Sequence, residues 1–181
     1  MCIILRLRIE NVRELILVKS EELLFEAGYK GFNMREIAKR CGIAVGTIFN
    51  YYESREILIA TIMAKDWRAY ISEMSQKSNE AVDVQEGISA IYNGINSYSR
   101  KYETIWYDYP GNIIGYLGTY HARLRQKIAD IIINLLSRFN IRLDDSVVSI
   151  YAEAVLASSV NKDLDLEDLL KFTTQLLSTG G

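Results

Sequence analysis

The chain has 181 residues, 49% of them hydrophobic and 24% charged, with a formal net charge of −2. That length accommodates one domain, or a small domain joined to a larger one, with ample material for a core. The slight acidity excludes a histone-like polycation and leaves any nucleic-acid contact to a local patch. Residues 1–5 form an apolar run far too short for a signal peptide or a membrane span, and Arg6 and Arg8 follow it, so a soluble cytoplasmic protein with no membrane partner is expected. Cys2 and Cys41 lie far apart without His or Cys companions, which argues against a metal site and leaves Cys41 as a small buried side chain.

A single proline and the absence of strand-like alternation predict an all-α chain. The first helix is expected over 11–27, burying Leu15, Ile16, Leu23, Leu24 and Phe25, and it ends at Gly28, where a glycine can take the left-handed conformation. Asn33 and Glu36 have the spacing of a reciprocal capping box, so a second helix starts at about Met34. Met34, Ile37, Ala38 and Cys41 share its inner face, while Arg35, Glu36, Lys39 and Arg40 point outward. Gly42 stops this helix, Ile43 plugs the core across the turn, and a third helix over 45–52 turns Ile48 and Tyr52 inward and Val45, Gly46, Thr47, Asn50 and Tyr51 outward.

Two short helices around a glycine turn read as a helix-turn-helix for the DNA major groove. Ala44, Val45 and Gly46 place almost no side chain at the start of the third helix. There the backbone can approach a phosphate, which unpaired N–H groups and the helix dipole favour. Thr47, Tyr51 and Arg55 can add phosphate contacts. A glycine turn between helices also serves packing alone in all-α proteins, and spacing by itself leaves that reading open. Charge adds modest support: between residues 30 and 55, Lys30, Arg35, Lys39, Arg40 and Arg55 stand against Glu36 and Glu53, a balance of +3 in a chain of −2, so the remainder carries −5.

A fourth helix opens at Ser54 and runs through Leu58, Ile62, Trp67, Tyr70 and Met74 to a polar break at 75–80, linking head to body. Asp83 and Glu86 frame a second capping box ahead of a helix with Ile88, Ile91, Ile95 and Tyr98 on one face. A short helix over 102–107 ends before Pro110. A longer one over 113–137 carries Leu117, Leu124, Ile128, Ile131, Ile132 and Leu135, and two more cover 144–159 and 165–178. The total is about nine helices. Seven of the twelve tyrosines (Tyr92, Tyr98, Tyr102, Tyr107, Tyr109, Tyr116 and Tyr120) crowd together with Trp106. Rings with polar tips suit an apolar cavity that orients its ligand by hydrogen bonds, and equally suit a helix surface or core. His121, the sole histidine, either bonds a ligand or sits at the surface. The last two helices present Val147, Ile150, Tyr151, Ala154, Ala157 and Ser158 on one face and Leu166, Leu169, Leu170, Thr173, Leu176 and Leu177 on another. Such faces either close the monomer core or pair with a second copy as a four-helix bundle.

From residue 12 to residue 58 the chain resembles the DNA-binding domain of the TetR (tetracycline-repressor-like) family of bacterial transcriptional regulators. The matching positions are Leu24-Phe25, Gly28-Tyr29, Met34-Arg35-Glu36-Ile37-Ala38, Gly42-Ile43, Gly46-Thr47-Ile48, Tyr51-Tyr52, Ser54-Arg55 and Leu58. The resemblance implies that Thr47, Tyr51 and Arg55 grip the phosphate backbone while Arg35, Val45, Gly46 and Asn50 face base edges beside Ala44. Three positions depart from the pattern: Ala44 replaces the usual Ser or Thr and removes a helix cap, Phe49 replaces Tyr, and Arg55 replaces Lys. The expected domains are 1–53, a three-helix DNA-binding head, and 54–181, a helical effector-binding and dimerisation domain. An effector site is implied around Tyr92, Tyr98, Trp106, Tyr107, Tyr116, Tyr120 and His121, and a dimer interface around Val147, Ile150, Tyr151, Ala154, Ala157, Leu169, Leu170, Leu176 and Leu177.

The expected function is that of a ligand-responsive regulator, a homodimer repressing from a palindromic double-stranded DNA operator and released by a small hydrophobic or aromatic effector. One reading helix covers too few base pairs for genomic specificity, which favours the dimer. No cofactor and no catalytic group is expected, because no Gly-rich phosphate loop, GxSxG or HExxH occurs. The alternative is a helical dimeric interaction module whose helix-turn-helix reads no specific DNA sequence.

Overall fold

A computed structural model describes the backbone of residues 2–108, 113–161 and 163–178, with side chains described for 11–105, 107–108, 121–161 and 163–178. The described residues form eight helices and no strand: α1 (Cys2–Gly31), α2 (Met34–Cys41), α3 (Val45–Phe49), α4 (Arg55–Glu80), α5 (Val84–Asp108), α6 (Ile113–Arg138), α7 (Asp145–Val160) and α8 (Leu166–Ser178). The chain divides into two compact units, Met1–Trp67 with Glu103–Tyr109 and Arg68–Tyr102 with Pro110–Gly181. The division passes through α4 and α5, so each of these helices contributes to both units. Among the described residues no helix is long and apolar enough to cross a membrane.

The first unit is built on α1. Its core face is Ile16, Ser20, Leu23 and Leu24, all buried. Leu15 and Phe25, expected inside, are 39% and 43% exposed. At about 100° per residue those four positions fall within an arc of about 100°, whereas Leu15 and Phe25 lie about 80–100° beyond its two edges. The helix also begins nine residues earlier than the apolar periodicity indicated. At Gly28 the backbone breaks with φ 66°, and the turn beyond it carries Tyr29 and Phe32 into the core. Ile37, Ala38, Ile48, Tyr52, Leu58, Ile59 and Ile62 complete that core.

In the second unit, α6 packs on α7 and α7 on α8. Ile88, Ile91 and Ile95 of α5, Ile128, Ile132 and Leu135 of α6, and Val148, Ala152 and Val155 of α7 are all buried. The polar stretch 75–80 does not break α4. Lys77 pairs with Glu73 at 2.6 Å and Gln76 donates to Glu80 at 2.9 Å, both one turn apart, while Ser78 is buried. At the end of α4, Arg138 donates to the carbonyls of Ser78 (2.8 Å) and Ala81 (3.1 Å), placing a cation at the negative pole of the helix. The short helix expected over 102–107 is the carboxy-terminal part of α5, with Tyr102 and Ile105 buried in continuous helical register. Eight helices therefore stand among the described residues where about nine were expected.

Candidate nucleic-acid interface

Local chemistry sets each boundary of the helix-turn-helix. Asn33 accepts from the Glu36 amide at 2.8 Å and starts α2. The other half of the expected box is redirected, because the Glu36 carboxylate takes Arg40 Nε at 3.2 Å. Gly42 ends α2 at φ 65°, ψ 32°, a left-handed geometry that costs a residue with a side chain. The Ile43 amide then donates back to Ala38 at 3.0 Å, closing the turn. Ala44 caps α3 without a side-chain bond, as the missing hydroxyl predicts.

The reading helix is shorter than expected, ending at Phe49 rather than Tyr52. The amides of Tyr51 and Tyr52 both donate to the Ile48 carbonyl at 2.9 Å, so the chain tightens into a turn that drops Tyr52 into the core. Ser54 then accepts from the Ile57 amide at 3.1 Å and starts α4. Opposite the buried Ile48, Gly46 and Asn50 are exposed, with Thr47 and Tyr51 half-buried on one flank and Phe49 exposed on the other. A Cβ added at Gly46 would meet nothing within 4 Å, so this face is open. Val45 is half-buried and Ala44 exposed.

The cations of the head divide sharply. Arg40 reaches Glu26 at 2.8 Å as well as Glu36, which holds the Glu26 carboxyl below the usual carboxylate range and raises the guanidinium. Lys30 pairs with Asp108 at 2.6 Å. Arg55, expected at phosphate, is half-buried: it donates to the Tyr29 carbonyl and lies 4.1 Å over the Tyr29 ring, with its Nε buried and unpartnered. In this arrangement it ties α4 to the end of α1, and a phosphate would compete with Tyr29 for it. Arg35 and Lys39 remain exposed on α2. Much of the +3 balance is thus neutralised within the head. Cys41 is half-buried, its Sγ 3.9 Å from the Leu15 carbonyl, and burial pushes its thiol up.

The other expected site residues lie on the helices of the body. Tyr92 and Tyr98 are half-buried on α5, where Tyr98 stacks edge-on against Tyr70 at 5.5 Å and beside Tyr102 at 5.0 Å. Tyr107 is 91% exposed. The side chains of Trp106, Tyr116 and Tyr120, like Leu117 and all of Tyr109, lie outside the described residues. His121 Nε2 meets the Glu153 carboxylate at 2.7 Å, so it bridges α6 to α7, with Arg125 3.6 Å from the same carboxylate. Cavities lie among the described residues of the second unit. One of about 160 Å³ is lined by Tyr70, Glu73, Met74 and Gly94, and one of about 320 Å³ by Lys77, Glu80, Glu86 and Asn93, with none of the expected effector residues in either.

Of the expected dimer residues, Ile150 is 68% exposed, Ala157 is exposed, and Val147, Ala154, Leu170, Leu176 and Leu177 are half-buried. Tyr151 and Leu169 are corrected. They are 1% and 4% exposed, inside the protomer's own core. The Tyr151 hydroxyl shares a 2.5 Å hydrogen bond with Thr173, which in turn donates to the Leu169 carbonyl at 2.8 Å, so this part of the face is committed to joining α7 to α8. Phe172 of α8 and Val160 of α7 are further exposed apolar residues, at 42% and 57%.

Residues 16–62 match the family model described as bacterial regulatory proteins, tetR family. The fatty acid metabolism regulator protein of Bacillus subtilis (strain 168) is 22% identical over 147 residues, covering 80% of this chain and 69% of that protein. Two solved structures share the fold. Thermus thermophilus FadR in complex with lauroyl-CoA superposes with a TM-score of 0.60 at 20% identity, covering 93% of this chain and 94% of that one. FadR from Bacillus subtilis in complex with stearoyl-CoA gives 0.57 at 16% identity, covering 93% and 98%. Residues 16–62, which carry this helix-turn-helix, are thus a DNA-binding head of the bacterial tetR regulatory family.

Proposed function

We propose that this chain is a cytoplasmic homodimeric repressor that holds a palindromic operator with two copies of its head and releases it when a fatty acyl-CoA binds. The observation that carries the DNA-reading role is the open Gly46–Asn50 face of α3, backed by the buried Ile48, with Arg35 and Lys39 exposed on the preceding α2. Arg35 and Asn50 carry the donors and acceptors that read base edges, with Val45 and Gly46 allowing close approach. Thr47, Tyr51, Lys39 and, on leaving Tyr29, Arg55 hold phosphates. The exposed apolar positions Ile150 and Ala157 of α7 support a second copy as partner, with Val147, Ala154 and Leu170 completing the surface. Such a dimer sets its reading helices about 34–36 Å apart, one turn of DNA.

The acyl-CoA assignment rests on the ligands held by the two FadR structures of the same fold. It narrows the expected hydrophobic or aromatic effector to a flexible aliphatic one. Because α4 runs unbroken from Arg55 to Glu80, a ligand that prefers one position of this helix biases the head at its amino end. Operator and ligand affinities are then linked reciprocally, with a coupling of about 1–3 kcal/mol.

The test is a gel shift of the full-length protein on the upstream region of its own gene. A shift at low salt that stearoyl-CoA abolishes, and that CoA or stearate alone leaves intact, is the expected result. No ligand-free shift refutes the operator role, and a shift indifferent to acyl-CoA refutes the effector. Arg35→Ala is expected to relax base preference by about 1–3 kcal/mol. Light scattering that finds only single protomers at micromolar concentration refutes the dimer.

A further inference from the structure

Phe49 is 47% exposed on α3, three residues after Gly46 and directly before Asn50, while its neighbour Ile48 is fully buried. Scattered apolar residues in water need no explanation by themselves. This one borders the only strip of α3 from which side chains can reach outward, and the space at Gly46 beside it is empty to 4 Å. A phenyl ring has neither donor nor acceptor. It cannot bond a phosphate, and set against an amino, carbonyl or ring-nitrogen edge it would remove water from that group without replacing the hydrogen bond. The base edges of the major groove present one apolar group, the 5-methyl of thymine.

We infer that Phe49 is a specificity-determining residue that packs on a thymine methyl in each half of the operator, beside the base edge met by Asn50. The inference rests on the DNA-reading role proposed above. Burying one methyl is worth about fourfold in affinity, so a two-fold symmetric site gains about fifteenfold from its two methyls.

The experiment selects a preferred duplex from a randomised library with the full-length protein, then replaces thymines by deoxyuridine one symmetric pair at a time. Fluorescence anisotropy should show one pair at which the wild type loses about fifteenfold and Phe49→Ala about twofold or less, with Phe49→Tyr keeping the wild-type sensitivity. Melting curves check that Phe49→Ala is folded; if it is not, Phe49→Gln carries the same comparison. Equal losses for wild type and variant at every thymine pair, or no thymine pair that matters to the wild type, overturn the inference while leaving operator binding intact. A selection that enriches no sequence overturns the DNA-reading role and this inference with it.

Discussion

In the head, helix ends are set by near neighbours in the chain: Asn33 caps an amide three residues on, Gly42 turns the backbone, and Ser54 caps Ile57. In the second unit the ties span the sequence. Asn96 donates to the Ser159 carbonyl at 2.8 Å, Gln85 to Thr174 at 2.6 Å, Arg138 to Ser78 at 2.8 Å, and Tyr151 shares its proton with Thr173. The contrast shows two uses of polar groups. Local caps leave the outer face of α3 bare, whereas long-range bonds join the body helices and, at Tyr151, draw a residue that a sequence pattern offers to a partner into the protomer's own interior.

The sharpest way to break this contrast is Ile48→Ala, which removes a fully buried side chain beneath the reading face. The expected cost is about 3 kcal/mol, with operator binding lost, measured by urea denaturation followed by circular dichroism. If the second unit is held by its own long-range bonds, part of the helical signal persists past the first transition. One transition displaced as a whole would erase the distinction.

Tyr151 tests the second unit directly. Burial pushes its hydroxyl up to about 12, from the ordinary phenol value of about 10. In the unfolded chain this proton is lost first, so above pH 10 the unfolded state binds fewer protons and stability falls until the folded group also ionises. The contribution is complete below pH 10, and about 2–3 kcal/mol of it disappears between pH 10 and 12. Tyr151→Phe should lack that alkaline slope in a pH series of melts.

Arg55→Ala sharpens the boundary between structure and recognition. Its contacts to the Tyr29 carbonyl and ring predict a stability loss of about 1–2 kcal/mol in DNA-free protein. An unchanged melt together with a flatter salt dependence of DNA binding would instead make Arg55 a phosphate ligand alone. The smallest effect is a gain. Ala44→Ser restores a cap at the start of α3 worth about 1 kcal/mol, raising the melting temperature by about 2–4 °C.

Residue spacing alone located the head, because its devices act within a turn or two of the chain. Asn33, Gly42, Ile48 and Tyr52 hold the positions their residue types dictate. The bounds of α6, α7 and α8 were legible from apolar periodicity for the same reason, each to within one residue of its observed ends. Tertiary packing decided what periodicity cannot express. It chose which of two neighbouring apolar residues faces inward at Leu24 and Phe25, and it bound Arg40, Lys30 and Arg55 to partners distant in sequence. It also enclosed Tyr151 and Leu169 while leaving Ile150 and Phe49 in water. A pattern along one helix records only that a face is apolar; what covers that face is a property of the other helices, and becomes determinate when they pack.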